Sequence, residues 1–237
     1  PDNSLVSFAP NAFGQPTKAT QAGQNFATQA EYYPTGQLDT FLYGNGVIHK
    51  TTLNSRKITE NIRDYKGSSD KVELGYTYDN NLNIKSISDG INSSYSLSNL
   101  SYDGLDRLTS TTGGSGIASS SIWYDGLGNI TRYQSKNRDL DYTYNTSTNR
   151  LLYVDTYGTS DRFRNFNLSD SYDNRGNVKK NGEHTFTYNL ANQMTSADGN
   201  ISYLYDVQNR RVKTTSNGGV EISIYSLDGT LYYREDN

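Results

Sequence analysis

The stretch Trp123–Tyr133, WYDGLGNITRY, decides the fold, because it is one copy of a pattern that recurs along the chain. Asp125 directly follows an aromatic residue, Gly128 comes three residues later, and the apolar Ile130 follows two positions after that. The copies, aligned on their first residue, are YDNNLNI at 78, YDGLDRL at 102, YDGLGNI at 124, YNTSTNRL at 144, YDNRGNV at 172, YNLANQM at 188, YDVQNRRV at 205 and YSLDGTL at 225. Such internal repetition at an elastic spacing indicates one structural unit kept in tandem while the connecting segments vary.

Each copy has the residue types of a tight turn between two strands. The residue after the aromatic has a side chain that accepts hydrogen bonds from nearby backbone N–H groups. These residues are Asp79, Asp103, Asp125, Asn145, Asp173, Asn189, Asp206 and Ser226. The fourth residue after the aromatic is, in six copies, a type that tolerates positive φ. The six are Asp106, Gly128, Gly176, Asn192, Asn209 and Gly229. Leu82 and Thr148 break this position, so we expect those two turns to differ in type.

The flanking segments predict an all-β chain. Aromatic residues also stand two positions before several of the repeat aromatics, as in Tyr76 with Tyr78, which is the period of a half-buried strand. No Pro follows Pro34, so nothing after it interrupts ladder hydrogen bonding. We expect a single array over residues 1–237 with about ten hairpin units, regular over 76–237 and less regular over 1–75. The irregular copies are NAFGQPT at Asn11, YPTGQL at Tyr33 and YGNGV at Tyr43.

Composition narrows the function classes. Only 33% of the 237 residues are apolar, but the net charge is −3, and 21 Tyr and 7 Phe supply area for half-buried β surfaces. The absence of Cys excludes disulfides and thiolate metal sites. We expect no membrane span, because no apolar run approaches about 20 residues. We also expect no nucleic-acid partner, because the charges are nearly balanced and interspersed.

The tandem YDxxGxL pattern resembles the YD repeats of the Rhs family of bacterial polymorphic toxins, which also occur in C components of insecticidal toxin complexes and in teneurins. The resemblance extends from about Asn11 to Asn237, and YGNGV at Tyr43 and YDVQNRRVK at Tyr205 are particularly similar to the bacterial sequences. It implies tandem β-hairpins in a curved, spiralling antiparallel sheet, part of a shell that encloses a toxic C-terminal domain. The implied partners are the remaining repeats and that toxin, and the implied location is secreted or at the bacterial cell surface.

The size of the chain predicts a section of such a shell rather than a whole one. Ten hairpins give roughly 20 strands, and at about 4.8 Å each these close into a tube about 30 Å across, too narrow for a folded domain. The start and end of the sequence are also those expected of a fragment of a longer protein. Exposed outer strands favour self-association.

The candidate catalytic residues all have a simpler interpretation. Asp125, Asp103 and Asp106 occupy repeat positions, and an active-site residue does not recur in every unit, so we assign them to turns. Asp139 and Asp141, with Arg138 nearby, are more typical of a solvated strand face. His49 and His184 have no carboxylate in ligand spacing, so no metal and no cofactor is expected. The Gly-rich stretch 113–116 is interpreted as a flexible loop rather than a phosphate cradle.

The family resemblance does not add protease residues. Self-cleaving relatives use aspartates in a DPxGR-like segment, and the absence of Pro after Pro34 excludes that motif from the C-terminal half. The predicted function is therefore a non-catalytic shell section. The alternative is a cell-surface module that binds carbohydrate or protein, with sugar rings stacking on aromatic side chains outside the repeat register. Those side chains are Trp123, Tyr133, Tyr153 and Tyr157.

Overall fold

The computed structural model describes residues 5–158 and 162–236, and nearly all of them lie in antiparallel strands or tight turns. The strands are β1 (Val6–Ser7), β2 (Ala19–Gln21), β3 (Gln24–Tyr32), β4 (Leu38–Tyr43), β5 (Ile48–Leu53), β6 (Thr59–Lys66), β7 (Ser69–Tyr78), β8 (Ile84–Asp89), β9 (Leu97–Tyr102), β10 (Leu108–Gly113), β11 (Ser120–Tyr124), β12 (Ile130–Ser135), β13 (Arg138–Tyr144), β14 (Leu151–Thr156), β15 (Arg162–Asn167), β16 (Phe186–Tyr188), β17 (Met194–Ala197), β18 (Ile201–Tyr205), β19 (Arg211–Ser216), β20 (Gly219–Tyr225) and β21 (Leu231–Asp236). One 3₁₀ turn, Ser93–Tyr95, is the sole helical element in these ranges.

The strands follow one another in chain order. β1 to β15 form one sheet and β16 to β21 form another, and within each sheet every strand pairs with the next along the chain. Hairpins join neighbouring antiparallel strands, so no crossover connection is needed. The predicted all-β fold of tandem hairpins in antiparallel sheet is confirmed.

The chain divides into two compact units. One comprises Pro1–Ile122 with Gln134–Asn137, and the other comprises Trp123–Tyr133 with Arg138–Asn237. In each unit, alternate hairpin connections are repeat turns, so the repeat turns lie at one end of the strands. We call this end the turn side and the other end the opposite side.

The buried core is small. Over the described residues, the buried apolar side chains are Leu140, Val154, Leu168 and Ala197, all in the second unit. Most strand residues are half-buried, as single sheets rich in Tyr require. Stability must therefore come largely from the ladder, the turns and half-buried aromatic surface.

The Gly-rich stretch 113–116 is held by hydrogen bonds, which corrects its interpretation as a flexible loop. The N–H of Gly114 donates to the carbonyl of Ser96, and the N–H of Gly116 donates to the carbonyl of Ser94. A Cβ on Gly114 would lie 2.5 Å from the Ser94 oxygen. The glycines are needed because the two loops of the opposite side approach backbone to backbone, which the sequence alone does not reveal.

Candidate functional site: the repeat turns and an exposed aromatic cluster

The repeat turns share one hydrogen-bond pattern. In WYDGLGNITRY, Asp125 Oδ1 accepts from the N–H of Leu127 at 2.9 Å and from the N–H of Asn129 at 2.8 Å. The N–H of Gly128 donates to the Asp125 carbonyl, and Gly128 has φ +90°. The first residue of the turn accepts in the same way from N–H groups two and four residues on at Asn11, Asn54, Asp79, Asp103, Asp173, Asn189 and Asp206. Positive φ occurs at Asp106, Gly176, Asn192, Asn209 and Gly229.

The two exceptions behave differently from each other. Leu82 adopts φ +72° and its N–H donates to the Asp79 carbonyl, so the expectation of a different turn type there is wrong. The cross-strand register and the Asp79 bonds hold Leu82 in a region that its Cβ disfavours. The turn at Asn145 does differ, because it is one residue longer and Asn149, not Thr148, takes positive φ.

In several units the repeat tyrosine fastens its unit to the one before it. The Tyr102 hydroxyl donates to the Ile84 carbonyl at 2.7 Å, and Ile84 is the first residue after the preceding repeat turn. The same bond joins Tyr32 to Pro16, Tyr78 to Thr59, Tyr144 to Ile130, Tyr172 to Leu151 and Tyr205 to Met194. Burial raises the pKa of Tyr78, Tyr102 and Tyr172, because the phenolate would be poorly solvated there.

The register of the first repeats corrects the alignment made from sequence. Tyr33 and Tyr43 do not anchor their copies, because each is the first residue of its turn: the N–H of Gly36 donates to the Tyr33 carbonyl and that of Gly46 to the Tyr43 carbonyl. Tyr32 is the anchor of its unit. A further unit, with its turn at Asn54, was missed because Leu53 stands where the others have an aromatic residue.

Side chains tie neighbouring turns together on the turn side. Asn177 Nδ2 donates to Asp173 Oδ2 of its own turn and to Asn192 Oδ1 of the next turn, both at 2.9 Å. Equivalent amide bonds join Asn83 to Asp106, Asn129 to Asn149 and Gln193 to Asn209. The acceptor in each case is the positive-φ residue of the following turn.

Arginine replaces the amide where the following turn has glycine. From Asn83 onward the last turn residue is Asn or Gln when the next positive-φ residue is Asp or Asn, and Arg when it is Gly. Within the second unit the Arg–Gly pairs are Arg150 with Gly176 and Arg210 with Gly229. A Cβ on Gly176 would lie 3.2 Å from Arg150 Nη2, and Arg210 Nη1 donates to the Ser226 carbonyl of its following turn. The last residue of one turn and the positive-φ residue of the following turn are therefore matched in size and hydrogen bonding.

This matching predicts strong coupling between adjacent turns. Asn177→Arg alone should lower the free energy of unfolding by about 1 kcal/mol, because the Asn192 amide loses its donor. In an Asn192→Gly background the cost should shrink by about 1 kcal/mol, measured by a double-mutant cycle in urea. The control is Asn177→Arg with Asn209→Gly, which is one turn further away. Equal coupling energies in the Asn192→Gly and Asn209→Gly cycles would contradict the specific contact between Asn177 and Asn192.

The remaining carboxylate candidates are held in ion pairs and hydrogen bonds. Arg107 Nε donates to Asp103 Oδ2 at 2.7 Å and lowers the pKa of Asp103, while the amide of Asn81 lowers that of Asp106. Both carboxyls are thus stabilised as anions, which suits turn capping and does not suit a proton donor. Asp139 pairs with Arg132 at 2.7 Å rather than with the neighbouring Arg138.

Each histidine has a carboxylate partner, contrary to the expectation from spacing. His49 Nδ1 lies 2.6 Å from Asp64 Oδ1, and His184 Nδ1 lies 2.7 Å from Asp198 Oδ2. The partners were missed because β-pairing, not proximity along the chain, brings them together. No group of three or more His, Asp or Glu side chains among the described residues is placed to hold a metal ion. A helix long and apolar enough for a membrane span is likewise absent from this part of the chain.

Two of the four predicted stacking residues meet around one guanidinium. The Arg132 Cζ atom lies 3.3 Å from the Tyr157 ring centroid and 4.8 Å from that of Trp123. Asp139 binds the same guanidinium through both carboxylate oxygens, at 2.8 and 2.7 Å. Trp123 is 41% exposed and Tyr157 47% exposed. The cluster is a preorganised aromatic surface with a fixed charge pair beneath it.

The other two predicted residues are placed differently. Tyr153 lies on β14, and Tyr157 comes four residues later, directly after the end of that strand, so alternation puts both side chains on the same face. Tyr133 follows Arg132 directly on β12, which puts it on the other face of the sheet. The aromatic cluster therefore comprises Trp123, Tyr157 and Arg132, and Arg132 had no signal in the sequence because its role depends on contacts from three strands.

Comparison with known proteins identifies the fold. No protein-family model and no curated protein sequence matches the chain. Among solved structures, it is similar to a TcdB2–TccC3 crystal structure, with a TM-score of 0.78 and 17% identity over 98% of this chain and 14% of that one. A Photorhabdus luminescens Tc holotoxin pore matches with a TM-score of 0.76 and 18% identity over 94% of this chain and 13% of that one. The chain has an Rhs-like fold.

The structural match does not depend on the hypervariable C-terminal region of TccC3. TcdB2–TccC3 without its hypervariable C-terminal region still matches with a TM-score of 0.72 and 16% identity, over 97% of this chain and 13% of that one. The present chain thus spans about one seventh of the length of the chains it resembles.

Proposed function

We propose that this chain is a non-catalytic structural section of an Rhs/YD-repeat shell that encapsulates a C-terminal toxin and helps to deliver it. The observation that carries the proposal is the match of almost the whole chain to TcdB2–TccC3 in fold. The carboxylates of the repeats support it, because those in turns cap N–H groups and bind neighbouring turns. These carboxylates therefore hold the repeat turns together.

The partners proposed for the chain follow from this function. The remaining repeats of the parent protein would extend the sheet, and the C-terminal toxin would lie inside the shell. Export from a bacterium, to the medium or the cell surface, belongs to the same proposal. β1 and β21 are outer strands of their sheets, so their free backbone groups favour pairing with further repeats or with another copy.

Protease protection in the parent protein tests this function. The gene should continue into further YD repeats and a variable C-terminal region. In the purified parent, that region should resist a protease that digests it rapidly once the shell is opened by denaturant. A C-terminal region that is cleaved equally fast before and after opening would refute encapsulation.

Carbohydrate binding at the aromatic cluster is the second candidate function. The exposed rings of Trp123 and Tyr157, held by Arg132, are suited to stacking on a sugar ring. Protein partners of a surface module could use the same rings.

The only tryptophan makes this candidate easy to test. Because Trp123 is the sole Trp, its fluorescence reports directly on this cluster. A glycan-array hit should shift Trp123 emission on titration, and Tyr157→Ala should weaken binding about tenfold, the effect of losing one stacked ring. Tyr95→Ala, an equally exposed tyrosine in the other unit, should leave affinity unchanged. Saturating glycan with no change in Trp123 emission would place binding elsewhere.

A further inference from the structure

The turn side of the second unit carries a row of exposed apolar side chains. Leu190, Val207 and Leu227 stand at the same position of three consecutive repeat turns, directly after the residue that caps the turn. They are 93%, 92% and 94% exposed. Tips of hairpin turns are normally polar, and a fully exposed apolar residue contributes nothing to the turn itself. These three residues, which we call the tip row, are therefore unexplained by the fold.

The tip row is held in a fixed arrangement. Gln193 Nε2 donates to Asn209 Oδ1 at 2.8 Å, which joins the turn of Leu190 to the turn of Val207. Arg210 donates to the Ser226 carbonyl, which joins the turn of Val207 to that of Leu227. The tips are consequently ordered before any partner arrives, and docking on them costs little conformational entropy.

The surroundings of the tip row carry little charge. Among the exposed residues of these three turns the charged one is Asp228, while Asp206 and Arg210 neutralise each other at 2.6 Å. The opposite side of the same unit exposes Lys179, Lys180, Glu183 and Asp198 in its connections. An apolar row with a nearly neutral rim can face its own copy without repulsion.

The spacing of the tip row indicates what kind of surface fits it. Successive repeat turns are separated by two strands of the sheet. Neighbouring tips are therefore about 9.6 Å apart, twice the strand spacing. A second array of the same repeat presents apolar tips with the same period by construction. A stable interface buries about 1,200–2,000 Å² in total, so several tips must engage together, and a second copy with the matching period can engage all of them at once.

We propose that the tip row is an interface that binds the turn side of a second copy of this chain. The contact is isologous, with the tips of one copy between those of its partner. It differs from pairing at the outer strands, because it uses side chains at strand ends rather than free backbone groups of an edge strand. It also stands independently of the shell function, because it rests only on the tips of this chain.

Sedimentation velocity over a wide concentration range tests the proposal. The wild-type chain should self-associate, and high concentrations of sulfate should strengthen the association, as expected for apolar contacts. The triple variant Leu190→Ser, Val207→Ser, Leu227→Ser should weaken it about tenfold or more, because three apolar anchors are removed together. Near-complete exposure of all three residues means that the variant should fold normally, which circular dichroism verifies.

Matched controls separate the tip row from other apolar surface. Leu204→Thr with Tyr232→Thr removes two exposed apolar residues from strands of the same unit and should leave association unchanged. A wild-type chain that stays monomeric, or an association that survives the triple variant, would overturn the proposal. Binding to phospholipid vesicles without self-association would also overturn it, in favour of a lipid surface.

Single cysteines locate the contact directly, since the chain has none of its own. Ala191→Cys, beside Leu190, should form an intermolecular disulfide on mild oxidation. Asn217→Cys, in a connection of the opposite side, should not. A disulfide from Glu235→Cys on β21 but not from Ala191→Cys would show that the outer strand, not the tip row, is the interface.

Discussion

Acidification from pH 5 to pH 2 should progressively unfold the chain, with the main loss below pH 4. The pKa of Asp173 is lowered from 3.8 to about 2, first by the Asn177 amide and then by the backbone N–H groups that it caps, against an opposing contribution from burial. A carboxyl with a depressed folded pKa gives its full stabilisation above the unfolded value and loses it as pH falls through the folded value. The pKa is lowered in the same direction at Asp103, Asp106, Asp125, Asp198, Asp206 and Asp228. The loss of stability from protonating these hydrogen-bonded carboxylates is therefore cumulative.

Asp173→Asn isolates the contribution of one cap. Asn145 and Asn189 already head turns in this chain, so the variant should keep the Oδ1 acceptor and stay close to wild type in stability at pH 7. Its free energy of unfolding should fall less steeply between pH 4 and pH 2 than that of wild type. Asp173→Ala, which has no acceptor, should be less stable at every pH. Urea unfolding at several pH values measures all three, and an unchanged slope in Asp173→Asn would refute the role of this carboxylate.

Gly114→Ala should be among the most damaging single substitutions in the first unit, at about 2–4 kcal/mol. The new Cβ would meet the Ser94 carbonyl oxygen at 2.5 Å and the Ser93 oxygen at 2.9 Å, and backbone atoms cannot move aside as a side chain can. The variant should also lose the hydrogen bond from the Gly114 N–H to Ser96. Thermal unfolding followed by circular dichroism measures the effect.

Glycines in two repeat turns provide the matched control. At Gly104 and Gly126 an added Cβ meets nothing within 4 Å, and neither residue has positive φ. Alanine there should be neutral or stabilising by up to about 1 kcal/mol, because it restricts the unfolded chain. If Gly114→Ala were as harmless as Gly126→Ala, the close approach of the two loops would not exist in solution.

Local residue types were sufficient to predict the turns, because a cap and its N–H donors lie within five residues of each other. The same locality predicted positive φ at Gly128 and Asn192. It failed at Leu82, where a side chain poorly suited to the conformation is imposed by the surrounding ladder. It also misplaced Tyr33, because an aromatic residue can stand either on the strand or at the start of the turn.

Contacts between side chains on different strands could not be predicted from the sequence, for a different reason. The pairing of His49 with Asp64, and the position of Arg132 against Trp123 and Tyr157, depend on a register that the pattern of residue types does not specify. The same holds for the tyrosine hydroxyl bonds. Repetition predicted that Tyr102 is structural, but only its distance to the Ile84 carbonyl shows which atom matters.

The tyrosine bonds have a consequence for how such a chain can change in evolution. Each hydroxyl reaches back by a single unit, as in Tyr144 to Ile130 and Tyr172 to Leu151. A unit that is duplicated brings with it both the hydroxyl that it donates and the carbonyl that its successor needs. Gene duplication or loss of one unit can therefore lengthen or shorten the array without compensating mutations elsewhere, provided that the turn residues on either side of the junction still match.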